Sequence, residues 1–174
     1  VPGGHLPVSF PAATADLPPF DDYAMQGRTY RYQEKKPLYP FGFGLSYTSF
    51  AFRDLRLSTE RVRAGEGVRV ELVVENTGSY DGDEVVQLYV TRKDRRDGDP
   101  RCSLRDFRRV HVRAGSSLTL SFDLPASAFE CVSEAGNAVI EPGSYLLTVG
   151  DCAPVEALVR EGAAQAVSAQ IELV

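Results

Sequence analysis

Proline and aromatic side chains crowd into the first third of this 174-residue chain. Residues 1–52 hold seven of the 11 prolines and eleven of the 17 aromatic residues, from Phe10 to Phe52. Proline removes a backbone donor and breaks both helices and central strands. The stretch is therefore extended chain and turns. Each aromatic ring still carries about 150–250 Å² of surface that burial removes from water. Irregular chain cannot bury eleven rings against itself. Residues 1–49 are thus expected to lie on another body, either the domain that follows or a protein body outside this chain.

From residue 50 the pattern changes. Val68, Val70, Leu72 and Val74 alternate with Arg69, Glu71 and Glu75, the period-2 signature of a half-buried strand. Leu118, Leu120, Phe122 and Leu124 do the same, as do Tyr145, Leu147 and Val149. Val85–Val90 is nearly continuous in apolar residues and suits a central strand buried on both faces. Phe50–Leu57, Phe107–Val112 and Val167–Val174 are further strand candidates. Turn signals separate them: Ala64-Gly65-Glu66-Gly67, Asn76-Thr77-Gly78, Ala114-Gly115-Ser116, Gly136-Asn137 and Pro142-Gly143. No segment reads as a long amphipathic helix. The expected fold is all-β: an antiparallel β-sandwich of the fibronectin III or immunoglobulin kind, preceded by an extended Pro- and aromatic-rich arm. Tyr145, just after Pro142-Gly143, is a candidate tyrosine corner. The chain has no Trp, which excludes a true antibody-type domain.

Composition narrows the function classes. A chain of this length should hide about 70% of its unfolded surface, enough for a real core. No apolar run approaches the ~20 residues of a membrane helix, so no membrane span is expected. The net charge of −5 and pI near 5.1 argue against a general nucleic-acid binder. The chain begins at Val1 with no signal-like segment, so either a signal was removed or this is part of a longer polypeptide. Cys102, Cys131 and Cys152 allow one disulfide with a thiol left over, and their spacing does not suggest zinc. His5 and His111 are the only histidines, too few for a histidine metal site or triad.

Catalytic motifs are sparse. Gly42-Phe43-Gly44-Leu45-Ser46-Tyr47 starts like a dinucleotide loop but lacks the third glycine and its helix. The stretch from Asp94 to Asp99 lacks the alternating ligands of a calcium loop. Residues 92–109 carry eight basic and four acidic residues, read as a solvated edge or a bridge to an acidic neighbour. A retaining glycosidase needs two carboxyls about 5–5.5 Å apart. Asp21-Asp22, Asp81 with Asp83-Glu84, and Glu60 with Glu66 are the available pairs, and nothing in the sequence marks any as lying in a pocket.

Several strings in order carry a resemblance. Gly4-His5-Leu6-Pro7-Val8-Ser9-Phe10-Pro11 precedes Asp22-Tyr23, Gly27-Arg28-Thr29-Tyr30-Arg31-Tyr32 and Pro37–Thr48, which includes Pro40-Phe41-Gly42-Phe43-Gly44-Leu45-Ser46-Tyr47-Thr48. Asn76-Thr77-Gly78, Asp83–Val90, Leu104–Val110 and Pro142–Tyr145 with Val149-Gly150 follow. Over residues ~3–151 the chain resembles the C-terminal part of glycoside hydrolase family 3, the β-glucosidases and β-xylosidases. Members of this layout carry a (β/α)-barrel, an α/β sandwich and a fibronectin III-like domain. The resemblance implies that residues 1–49 are the end of the α/β sandwich domain plus linker, and that residues 50–174 are the fibronectin III-like domain. It places the nucleophile and the acid/base upstream, so no catalytic residue and no cofactor or metal is assigned here, and the 174 residues alone are expected to be inactive. The implied partners are the upstream catalytic domains and, for the whole enzyme, a β-linked oligosaccharide. Arg28, Tyr30, Arg31 and Tyr32 are the candidate substrate-binding residues. Secretion or a periplasmic location follows only from the resemblance. His5 stands where the family usually has Arg or Lys, altering a contact to the upstream body, and Asp106 stands where Gly is common, restricting the backbone there. The alternative is a stand-alone sandwich that binds carbohydrate or protein.

Overall fold

The computed structural model describes residues 2–155 and 165–174. Seven strands follow the alternating segments: β1 (Phe50–Leu57), β3 (Val68–Asn76), β4 (Gly82–Arg92), β5 (Ser103–Val112), β6 (Ser117–Leu124), β9 (Gly143–Gly150) and β10 (Ala166–Leu173). Three short ones, β2 (Arg61–Val62), β7 (Glu130–Val132) and β8 (Ala138–Ile140), complete the set. One sheet has the order β1-β3-β6, a second β2-β10-β9-β4-β5, and β7-β8 is a small separate ladder. All pairings are antiparallel except β2 with β10, which is parallel. Two residues of β2 lie beside the end of β10, where Glu172 and Leu173 pair with Arg61 and Val62.

The core forms where the inward residues of the two large sheets meet. Val70, Leu72 and Val74 of β3 and Phe122 of β6 pack against Val86 and Leu88 of β4, Leu147 and Val149 of β9 and Ile171 of β10. Each is essentially inaccessible to water. Burying a side chain of this size contributes roughly 1.5–3 kcal/mol. The Tyr145 hydroxyl donates to the carbonyl of Glu141 at 2.8 Å, the geometry of a tyrosine corner.

β4 and β5 slip out of register between Leu88 and Tyr89: Leu88 faces Asp106, but Tyr89 faces Leu104. Arg105 is the extra, unpaired residue of this bulge. Bulges bend a strand and re-aim a side chain. Asp106 has no positive φ, so the restriction expected there produces no strain.

The arm before β1 is not one extended strand. It doubles back, so that His5 bridges Gly44 and Phe10 bridges Tyr39. Phe10 meets Tyr39 edge-on at 6.2 Å. Between these ends lies α1 (Thr29–Tyr32), a single turn. Thr29 begins it with φ of 55°, unusual for a β-branched residue. Such a conformation costs roughly 1–3 kcal/mol and persists only where its surroundings hold it.

Candidate functional site at the seam between arm and sandwich

β4 is a strand with two buried faces. Val86, Leu88 and Val90 enter the sandwich core, while Gln87 and Tyr89 point to the other side and are also buried. The arm covers that second side. Tyr30 stacks on Phe41 at 4.3 Å and meets Tyr89 edge-on at 6.0 Å.

Gln87 joins the two layers. Its carboxamide nitrogen donates to the carbonyls of Gly42 (3.1 Å) and Asp151 (2.7 Å), and its oxygen accepts from the Tyr89 hydroxyl (2.6 Å). Burial pushes the Tyr89 phenol upward, so it stays a donor. The glycines of the Phe41-Gly42-Phe43-Gly44 string are there for room. A Cβ on Gly42 would sit 2.0 Å from the Gln87 oxygen, at φ of +81°. A Cβ on Gly44 would sit 2.7 Å from the His5 ring. The string is thus a close approach of backbone to side chains rather than a nucleotide loop.

A second knot lies at the arm's end. The Thr48 hydroxyl donates to Asn76 Oδ1 at 2.6 Å, and Gly78 N–H donates to the same oxygen at 3.1 Å. The Asn76 amide donates to the carbonyls of Tyr80 and Val112. All four hydrogen-bond positions of this fully buried side chain are filled.

Titratable groups meet under the arm. The His5 Nδ1–H donates to the Gly42 carbonyl at 2.5 Å, which leaves Nε2 facing the Glu84 carboxyl at 3.6 Å. His5 therefore makes its contacts inside this chain. Glu84 is only 6% exposed. Burial, and then the charge of Asp151, push its carboxyl up to about 7. Burial also raises Asp151. Three of the other carboxyls weighed from the sequence, Asp83, Asp81 and Asp22, have local structural partners. Asp83 accepts from His111 and Arg109, which hold it below the usual carboxylate range. Asp81 caps Ala114 N–H, and Asp22 caps Ala24 N–H.

Four of the eight cations of the basic window form ion pairs within the chain. Arg92 pairs with Asp94 and Glu141, Arg96 with Glu141 and Asp99, Arg108 with Asp106, and Arg109 with Asp83. All three cysteines are free thiols. Burial pushes the Cys102 thiol up to about 12, which keeps it unreactive. Among the described residues no group of three or more His, Cys, Asp or Glu side chains could hold a metal ion.

The four residues singled out for substrate contact part company. Arg28 spends its guanidinium on the carbonyls of Ala24, Pro19 and Asp22, holding the arm's own loop together. The Tyr30 hydroxyl accepts the Leu104 N–H at 3.0 Å. Arg31 and Tyr32 instead line a cleft of about 340 Å³ between α1, the bulge of β5 and the β7–β8 ladder. Arg105, the bulge residue, lines it too. Sequence reasoning passed over Arg105; the break in alternation at Leu104-Arg105-Asp106 is the signal that marks it.

Known proteins resemble this chain in sequence and fold. The fibronectin type III-like domain family matches residues 84–153. A β-xylosidase of Formosa agariphila is 36% identical over 154 residues, covering 86% of this chain and 21% of the relative. A xylan 1,4-β-xylosidase of Xylanibacter ruminicola is 38% identical over 150 residues, covering 86% of this chain and 17% of the relative. The crystal structure of a Bifidobacterium adolescentis GH3 β-glucosidase superposes with a TM-score of 0.74 at 29% identity, over 95% of this chain and 25% of that one. The chain spans about a fifth of the length of these curated relatives. With the Gly42–Gln87 seam and the tyrosine corner in place, these matches identify the chain as the C-terminal, fibronectin type III-like region of the glycoside hydrolase family 3 β-glucosidases and β-xylosidases.

Proposed function

We propose that this region is a non-catalytic docking element of a retaining β-glycosidase that hydrolyses terminal β-D-glucosides or β-D-xylosides. Residues 1–49 are the end of an upstream α/β domain with its linker, and residues 50–174 are the fibronectin III-like domain that the linker straps down. One observation carries the reading. Among the described residues, ten of the fourteen large hydrophobics left exposed lie between Val8 and Tyr47, with Phe20 at 97% and Tyr23 at 91%. Such a concentration of exposed apolar side chains in one segment points to a covering partner. Residues between Pro2 and Leu45 also frame an apolar hollow of about 370 Å³, with Leu6, Phe10, Tyr39 and Phe43 in its wall. The length of the relatives supports the upstream domains as that partner: the chain spans about a fifth of each.

A binding module standing alone would carry its aromatics on a flat sandwich face. On the sandwich only Tyr80 and Phe107 are exposed among the described large aromatics. The distribution therefore favours docking over sugar capture by the sandwich face.

The test is the natively produced protein. Its denatured mass is expected far above 19.0 kDa, or with a large co-purifying chain. It should cleave an aryl β-glucoside or β-xyloside with the first-formed sugar retaining the β configuration. The 174 residues alone should not. A lone 19.0 kDa species, or turnover that stays with this chain on purification, would overturn the reading.

A further inference from the structure

Two arginines in the cleft beside α1 form no ion pair among the described residues. Arg31 Nε and Arg105 Nε are both shielded from water and have no hydrogen-bond partner. No carboxylate among the described residues pairs with either guanidinium. Arg105 donates only to the Glu130 carbonyl, and Arg31 lies over the Tyr32 ring at 5.7 Å. Of the acids nearby, Glu141 is engaged by Arg92 and Arg96 and Asp99 by Arg96, while Glu130, on the cleft wall, attracts Arg105 without forming an ion pair with it. Burial, followed by the charge of Arg31, lowers the Arg105 pKa, so the two cations are close enough to repel each other. Leaving buried charged donors unanswered is costly.

The fold holds this arrangement in place at some expense. The β5 bulge makes Arg105 the unpaired residue. The strained Thr29 starts the turn that carries Arg31. That turn is fastened by two bonds to the sandwich: Tyr30 Oη accepts Leu104 N–H, and the Arg31 carbonyl accepts Arg101 N–H at 2.6 Å.

We infer that the cleft between α1 and β5 is a binding site for a carboxylated sugar, a hexuronate, with its carboxylate between Arg31 and Arg105 and its ring against Tyr32. Paired guanidiniums suit a planar carboxylate. The half-buried Tyr32 ring offers an apolar face to the C–H side of a pyranose. A volume of about 340 Å³ is within the range of small-ligand sites. The preference for an anion stands on the two arginines alone; the sugar as its carrier rests on the β-glycosidase reading above.

The probes are glucuronate, glucose and acetate, titrated into the protein at low salt while the arginine Nε–H resonances are followed by NMR. Glucuronate is expected to shift the Arg31 and Arg105 signals saturably, and glucose is not. Acetate should bind about tenfold or more weakly than glucuronate. Arg31→Gln and Arg105→Gln should each weaken glucuronate by about tenfold or more, and Arg56→Gln, on the exposed face of β1, should not. Should Arg105→Gln fail to fold, the wild-type Nε–H shifts still decide. No saturable shift, or glucose binding as well as glucuronate, overturns the site. Acetate binding as tightly as glucuronate overturns the sugar. Failure here leaves aryl-glycoside hydrolysis untouched. Failure of hydrolysis leaves the carboxylate titration intact, so the two readings fall separately.

Discussion

Phe122 and Phe20 are the same side chain in opposite situations. Phe122 is sealed between the two large sheets, whereas Phe20 is 97% exposed on the arm. The sandwich has enough alternating strands to close a core with its own residues. The arm has rings but almost no ladder, so it buries one side on β4 and leaves the other bare. Self-sufficient packing and exposed apolar surface therefore lie in different parts of the chain. The sandwich makes the fold stand, and on the proposed reading the arm attaches it to a larger protein.

Substitutions can separate the two. The largest effect is expected from Phe122→Ala, a cavity in the core worth about 3–5 kcal/mol, which should lower the urea midpoint and unfold arm and sandwich together. Gly42→Ala should cost about 2–4 kcal/mol, because the new Cβ displaces Gln87 and the site needs a left-handed backbone. Here the arm should leave first: limited proteolysis within residues 12–36 should accelerate while the far-UV strand signal persists. Simultaneous loss of both would mean that the sandwich does not stand without its strap.

Glu84 gives a pH-dependent version of the same test. The folded carboxyl holds its proton up to about 7, while the unfolded one releases it near 4.5. The folded state thus binds more protons between these values, and stability falls as pH rises through that window. The rise corresponds to an upper limit of about 3 kcal/mol. Asp151, also raised by burial, acts in the same direction. Glu84→Gln should flatten most of the slope and gain on wild type at pH 8 but not at pH 4, as read from urea midpoints. An unchanged slope would place the titration elsewhere. The smallest effect belongs to Phe20→Ser with Tyr23→Ser. In the isolated chain the pair should shift stability by less than about 0.5 kcal/mol. In the whole protein it should loosen the attachment of this region, seen as faster proteolysis at the junction.

Much of the sandwich is legible in the residue pattern because each long strand has one wet and one dry side. β1 falls on Phe50–Leu57 as expected, and β3, β6 and β9 start or end within a few residues of their alternating runs. β5 begins four residues earlier than the expected Phe107, since the bulge at Arg105 interrupts the alternation that would have announced it. β2, β7 and β8 are two or three residues long, too short to show any period. The seam is less legible for a different reason. Gln87 finds partners 45 and 64 residues away, and a buried glutamine in a strand carries no local sign of them. The glycines at 42 and 44 were visible, but the need they answer comes from Gln87 and His5. Arg28 and Arg31 look alike in the sequence, and only the folded arm shows that one is used on carbonyls and the other faces a cleft.

The central claim is that the bare side of the arm is covered in the complete protein. Hydroxyl-radical footprinting of the natively produced protein and of the 174-residue chain tests it side by side. Phe20 and Tyr23 should be modified readily in the chain alone and strongly protected in the complete protein, while Tyr89 stays protected in both. Equal modification of Phe20 and Tyr23 in the two would contradict the account.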